Sequence, residues 1–149
     1  MVNAFLSKSP SETKKIGRDL AKKIKKDGPK NKACVLALEG DLGGGKTTFL
    51  QGFAKGLGTE EKILSPTFVI MKRFKIPDPG FKDFYHLDCY RPKDAGEILD
   101  LGFSEILLCP GNIVAVEWSE KIKKILPENA IRIEFRFIDD KKRKITISE

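Results

Sequence analysis

The sequence predicts an α/β domain of three layers, a mainly parallel sheet covered by helices, with antiparallel hairpins added to it. Three observations carry this. The runs Ala33-Cys34-Val35-Leu36-Ala37-Leu38 and Ile113-Val114-Ala115-Val116 are apolar without alternation, the pattern of strands buried on both faces. The first run leaves through a glycine-rich turn into a segment of helical periodicity. Two further pairs of extended segments, each joined by turn residues, read as hairpins. With 149 residues and 40% hydrophobic content, the chain suffices for one core and not for two ordinary domains, so residues 1–149 are read as one domain.

Taken in order, Ser9-Pro10-Ser11-Glu12 reads as a helix start, with Ser9 as N-cap, Pro10 at the first helical position and Glu12 closing a capping box. Ile16, Leu20 and Ile24 share the buried face, and the lysines near Gly28-Pro29 suit a helix C-terminus. After the strand at 33–38 comes a helix with Phe49, Leu50, Phe53 and Leu57 inward, ended by Gly56 or Gly58. Ser65-Pro66-Thr67 leads into a strand at 68–74, and a turn at 77–80 returns the chain as a strand at 84–88. Asp94-Ala95-Gly96-Glu97 opens a short helix with Ile98 and Leu101 inward, ended by Gly102, and a second short helix spans 104–107. The strand ending in Glu117 is followed by a short helix that Ser119 caps. Ile131 to Phe137 alternates, turns at Asp139-Asp140-Lys141 and pairs with Arg143 to Ile147 as a hairpin with one wet face.

The turn reads Gly40-Asp41-Leu42-Gly43-Gly44-Gly45-Lys46-Thr47, that is G-x-x-x-x-G-K-T between a strand and a helix, the phosphate-binding P-loop. Without Cβ atoms at Gly43, Gly44 and Gly45, successive backbone N–H groups can converge on a polyphosphate, and the helix N-terminus adds its own donors and dipole. Lys46 supplies a point charge for the β- and γ-phosphates, the Thr47 hydroxyl a ligand for Mg²⁺, and Thr48 a reach to the α-phosphate. The domain is therefore expected to be P-loop NTPase-like.

Such a loop needs acids, because Mg²⁺ takes oxygen ligands and the γ-phosphate needs a positioned water or acceptor. Asp88 and Glu117 each end an apolar strand, where open α/β sheets bind ligands. The plainer roles are a turn residue for Asp88 and a capping or edge carboxylate for Glu117. Ser65 and Thr67 stand where a switch segment could approach the γ-phosphate, or only shape the turn. His86 is read as a packing or hydrogen-bonding residue of its strand. Arg91 is a candidate for the γ-phosphate or for a salt bridge behind Asp88.

These residues carry a family resemblance. The phosphate loop from Gly40 to Thr48, Ser65-Pro66-Thr67-Phe68, His86-Leu87-Asp88-Cys89-Tyr90-Arg91 and Val116-Glu117-Trp118, in this order, resemble the bacterial TsaE (YjeE) family across nearly the whole chain. Gly44 stands where that family often has alanine. The resemblance implies an ATP site formed by Asp41, Gly43, Gly44, Gly45, Lys46, Thr47 and Thr48, Mg²⁺ on Thr47 and Glu117, and hydrolysis assisted by Asp88, Lys46 and Thr67. It further implies a role in threonylcarbamoyladenosine modification of tRNA with TsaB and TsaD homologues, contact with tRNA being indirect. A small-molecule phosphotransferase is the alternative, although no arginine-rich lid or acceptor-binding insert is evident. A guanine-specific binder lacks its N-K-x-D motif, since Asn31-Lys32-Ala33-Cys34 fails at the last position.

The formal charge of +7 and pI near 9.3 suit nucleic acid, phosphate or an acidic partner. The lysines are dispersed without interleaved aromatic residues, which favours a solvated surface. Three cysteines without a C-x-x-C pair suggest reduced thiols. No signal-peptide core or membrane-spanning run is present, so a cytoplasmic protein is expected.

Overall fold

The computed structural model describes residues 1–41, 45–64, 70–89 and 95–149. In chain order the elements are β1 (Val2–Ser7), α1 (Pro10–Asp27), β2 (Cys34–Gly40), α2 (Lys46–Leu57), β3 (Met71–Lys75), β4 (Asp83–Asp88), α3 (Ala95–Leu99), α4 (Phe103–Leu108), β5 (Ile113–Glu117), a 3-10 helix (Ser119–Ile125), β6 (Ile131–Phe137) and β7 (Arg143–Ser148). One seven-stranded sheet has the order β1-β7-β6-β2-β5-β4-β3. Its centre, β6-β2-β5-β4, is parallel, and β1 points the same way because it is antiparallel to β7, itself antiparallel to β6. Only β3 and β7 oppose that direction, each as one arm of an expected hairpin.

The two apolar runs become neighbours, with Leu36 opposite Ala115 and Leu38 opposite Glu117. Strand alternation divides their side chains between two cores. Leu36, Leu38, Ile113 and Ala115 pack with Phe49, Leu50, Phe53 and Leu57 of α2 and Leu20, Ala21 and Ile24 of α1. Val35, Val114 and Val116 face Ile98, Phe103 and Ile122 on the other side. These are the three layers.

Ser9 caps α1 by accepting from the Glu12 N–H at 3.1 Å. The Glu12 carboxylate accepts from the Lys8 N–H at 2.6 Å, one residue earlier than a capping box requires. Gly58 ends α2.

Val2–Ser7, which carries no alternation and for which no element was expected, pairs with β7 as an edge strand. Three local expectations change. Leu101 is 40% exposed, because α3 stops at Leu99 before its next turn could bury that side chain. Gly102 opens α4 as its N-cap. Trp118, at φ 58°, precedes the 3-10 helix in the cap position expected of Ser119. The expected segments at 65–69 and 90–94 lie outside the described residues.

Candidate functional site

The site gathers where β2, β4 and β5 end. Gly40 closes β2 so near β6 that a Cβ there would sit 2.0 Å from the Phe135 carbonyl oxygen, so no larger residue fits. Asp41 anchors the departing loop to β6: its N–H donates to the Phe135 carbonyl at 3.2 Å, and its carboxylate accepts from the Phe137 N–H at 3.3 Å. The loop re-emerges at Gly45, whose φ of 100° favours glycine and whose carbonyl accepts from the Phe49 N–H as α2 begins.

Lys46 opens α2 and is 6% exposed. Its ammonium donates to the Gly40 and Asp41 carbonyls at 3.0 and 2.9 Å and lies 4.1 Å from the centre of the Trp118 ring. Burial lowers its pKa from the usual lysine value, opposed by Glu117, Glu120, Asp41 and Asp88.

The Thr47 hydroxyl donates to Glu117 Oε1 at 3.1 Å. Glu117, 3% exposed, is met from the other side by His86, whose Nε2 is 2.5 Å from Oε2. Asp88 stands opposite Glu117 in the β4–β5 register.

An open cleft of about 410 Å³ runs past these groups. Gly45, Lys46, Thr47, Thr48, Asp88, Glu117 and Trp118 line it, together with Ser7, Lys8, Ser9, Pro10 and Thr13 from the end of β1 into α1 and Asp140, Lys141 and Arg143 of the β6–β7 hairpin. The expected residues Lys46, Thr47, Thr48, Asp88 and Glu117 thus meet in one place. Gly43, Gly44, Thr67, Ser65, Pro66, Phe68 and Arg91 lie outside the described residues.

Two residues of the site were assigned no part in it from the sequence. Trp118 was marked only as the last residue of the Val116-Glu117-Trp118 motif. His86 carried a further signal, since residues two apart on a strand share a face and His86 is two before Asp88.

The donors suit a hard cation: a hydroxyl and carboxylate oxygens. Among the described residues no group of three or more His, Cys, Asp or Glu side chains could hold a metal by itself. Mg²⁺ needs no such cage, because it commonly binds one or two protein oxygens together with phosphates. Burial pushes the Cys34 thiol up to about 11 and that of Cys89 up to about 12, so neither is a thiolate at neutral pH. Among the described residues no helix is long and apolar enough to cross a membrane.

Comparison with known proteins gives a consistent picture. A family model described as "Threonylcarbamoyl adenosine biosynthesis protein TsaE" matches residues 7–145. The Bacillus subtilis tRNA threonylcarbamoyladenosine biosynthesis protein TsaE is 41% identical over 140 residues, covering 94% of this chain and 81% of its own. The Rickettsia bellii protein of the same name is 38% identical over 141 residues, covering 94% and 90%. The crystal structure of Bacillus subtilis YdiB superposes with a TM-score of 0.74 at 35% identity, over 99% of this chain and 84% of that one. With its P-loop α/β fold and this breadth of similarity, the chain belongs to the TsaE family.

Proposed function

We propose that this protein binds ATP with Mg²⁺ in the cleft, hydrolyses it slowly alone, and acts in the cytoplasm with TsaB and TsaD homologues to form threonylcarbamoyladenosine on tRNA. The supporting observation is the convergence of the Lys46 ammonium, the Thr47 hydroxyl and the Glu117 carboxylate at the mouth of a P-loop. The relatives' names supply the pathway.

Each residue has a task in that reading. Lys46 neutralises charge on the β- and γ-phosphates, and the backbone around Gly43, Gly44 and Gly45 cradles them, with Asp41 securing the loop to β6. Thr47 and Glu117 hold the cation, which when bound spreads the negative charge of the phosphate chain. Asp88, opposite Glu117, orients the attacking water, and Thr67 belongs to a segment that closes on the γ-phosphate. Contact with tRNA is through the partners.

Phosphoryl transfer is catalysed mainly by positioning and charge stabilisation, and a group supplied in trans can be worth ~10³ to 10⁵ in rate. A protein needing such a group turns over slowly by itself. The test is steady-state phosphate release at saturating Mg-ATP, with and without the TsaB–TsaD pair. Slow release that the pair accelerates is expected. Fast release unaltered by the pair would sink the partner-gated reading and favour a phosphotransferase.

A further inference from the structure

The Glu117 carboxylate of the cleft is held from two elements, α2 and β4. It is 3% exposed at the end of β5, where a carboxylate lacking hydrogen bonds costs several kcal/mol on the order of an unpaired buried ion. Two side chains satisfy it. Thr47 on α2 donates across the carboxylate, 3.1 Å from Oε1 and 3.4 Å from Oε2, and His86 on β4, 2.5 Å from Oε2, is the contact that tells the two oxygens apart. As the ionised cation ligand of the reading above, Glu117 only accepts hydrogen bonds, and in that state the ring nitrogen carries the hydrogen and His86 donates.

His86 is itself 1% exposed, and β4 pairs with β5 so that His86 lies opposite Ala115 and Asp88 opposite Glu117. The sheet thus fixes the backbone and the face from which the imidazole projects, and burial confines the ring. The last torsion of a glutamate has a broad, roughly two-fold preference and does not hold its oxygens in place. What sets their direction is the pair of donors on either side.

We propose that His86 is a positioning residue: by donating to Oε2 it fixes the plane of the Glu117 carboxylate, so that Oε1 stays beside Thr47 as the oxygen offered to the divalent cation. This rests on the metal-nucleotide reading of the cleft above. His86 is not itself a ligand in this arrangement, because the nitrogen facing the site is already committed to Oε2. Removing a partner that orients a ligand typically lowers metal affinity ~10- to 100-fold.

The test separates cation binding from nucleotide binding. ADP affinity is measured in EDTA, and Mn²⁺ affinity of the ADP-bound protein by electron paramagnetic resonance of free Mn²⁺, for wild type, His86→Phe, His86→Gln and Glu117→Ala. His86→Phe keeps bulk without a donor and is expected to lose ~10- to 100-fold in Mn²⁺ affinity with unchanged ADP affinity in EDTA. His86→Gln, which retains an N–H donor, should recover most of the loss; a purely space-filling role would reverse that order. Wild-type Mn²⁺ affinity in folded His86→Phe, with affinity lost in Glu117→Ala, overturns the role of His86 alone. Undiminished Mn²⁺ affinity in Glu117→Ala overturns the parent assignment instead.

A second readout needs no variant. His86 is the only histidine, so its ring nitrogens give a unique ¹⁵N signature. A proton on Nε2, and a shift of that signal when Mg²⁺ is added to the ADP-bound protein but not when ADP is added in EDTA, are expected. An Nε2 lacking its proton, or a signal unmoved while Mg²⁺ binds, overturns the proposal.

Discussion

Lys46 is held twice, by two loop carbonyls and by the face of Trp118, before any phosphate is considered. Its ammonium is thus preset near the loop, and burial makes its charge costlier than that of a surface lysine, so an anion in the loop gains more from it. Lys46→Ala removes a charge-assisted contact worth about 1.5–3 kcal/mol, or roughly a 10- to 150-fold loss of ATP affinity. Calorimetric titration of the folded variant checks this, and an unchanged affinity contradicts the role of the lysine. Much of the site was legible at this scale. Lys46, Thr47 and Thr48 follow from the loop pattern, and Asp88 and Glu117 from acids placed at strand ends. The His86 contact was less so, because it depends on the β4–β5 register and the sequence contains no direct record of which strands adjoin.

Between elements, α1 packs closely on α2, the helix that follows the loop. A Cβ at Gly17 would lie 2.2 Å from the Phe49 carbonyl oxygen, and one at Gly52 2.0 Å from that of Lys14. Both obstacles are backbone, so a side chain there must push the helices apart. Gly52→Ala gains about 1 kcal/mol of helix propensity, but overpacking typically costs about 1–3 kcal/mol or more. A net loss of a few degrees in Tm is expected, with weaker ATP binding because the start of α2 moves. A Tm equal to or above wild type in a thermal melt would show that the helices can yield. The helices themselves were readable, since Phe49, Leu50, Phe53 and Leu57 recur with helical spacing and all are fully buried. β1 was not, because five of its six residues are exposed and its hydrogen-bonding partner β7 is at the opposite end of the chain.

For the molecule as a whole, unbroken apolar runs marked β2 and β5 and alternation marked β6, whereas the order of the strands depends on contacts between distant segments that no single stretch encodes. The strand that delivers the phosphate loop illustrates this: β2 ends at residue 40, but its two neighbours are β5, beginning at residue 113, and β6, beginning at residue 131. A fragment ending at residue 110 keeps the loop, α1 and α2 but leaves both edges of β2 without a partner. It is expected to show no cooperative melt by circular dichroism and no ATP binding by titration; a fragment that binds ATP would contradict the dependence on β5 and β6. The same arrangement sets a clock on synthesis. At about 5–20 residues per second, a ribosome that has made the loop needs on the order of 5–20 s more to supply β6. Throughout that interval the nascent chain carries the motif without the sheet that shapes it, and in the proposed reading nucleotide capture waits until β5 and β6 have emerged.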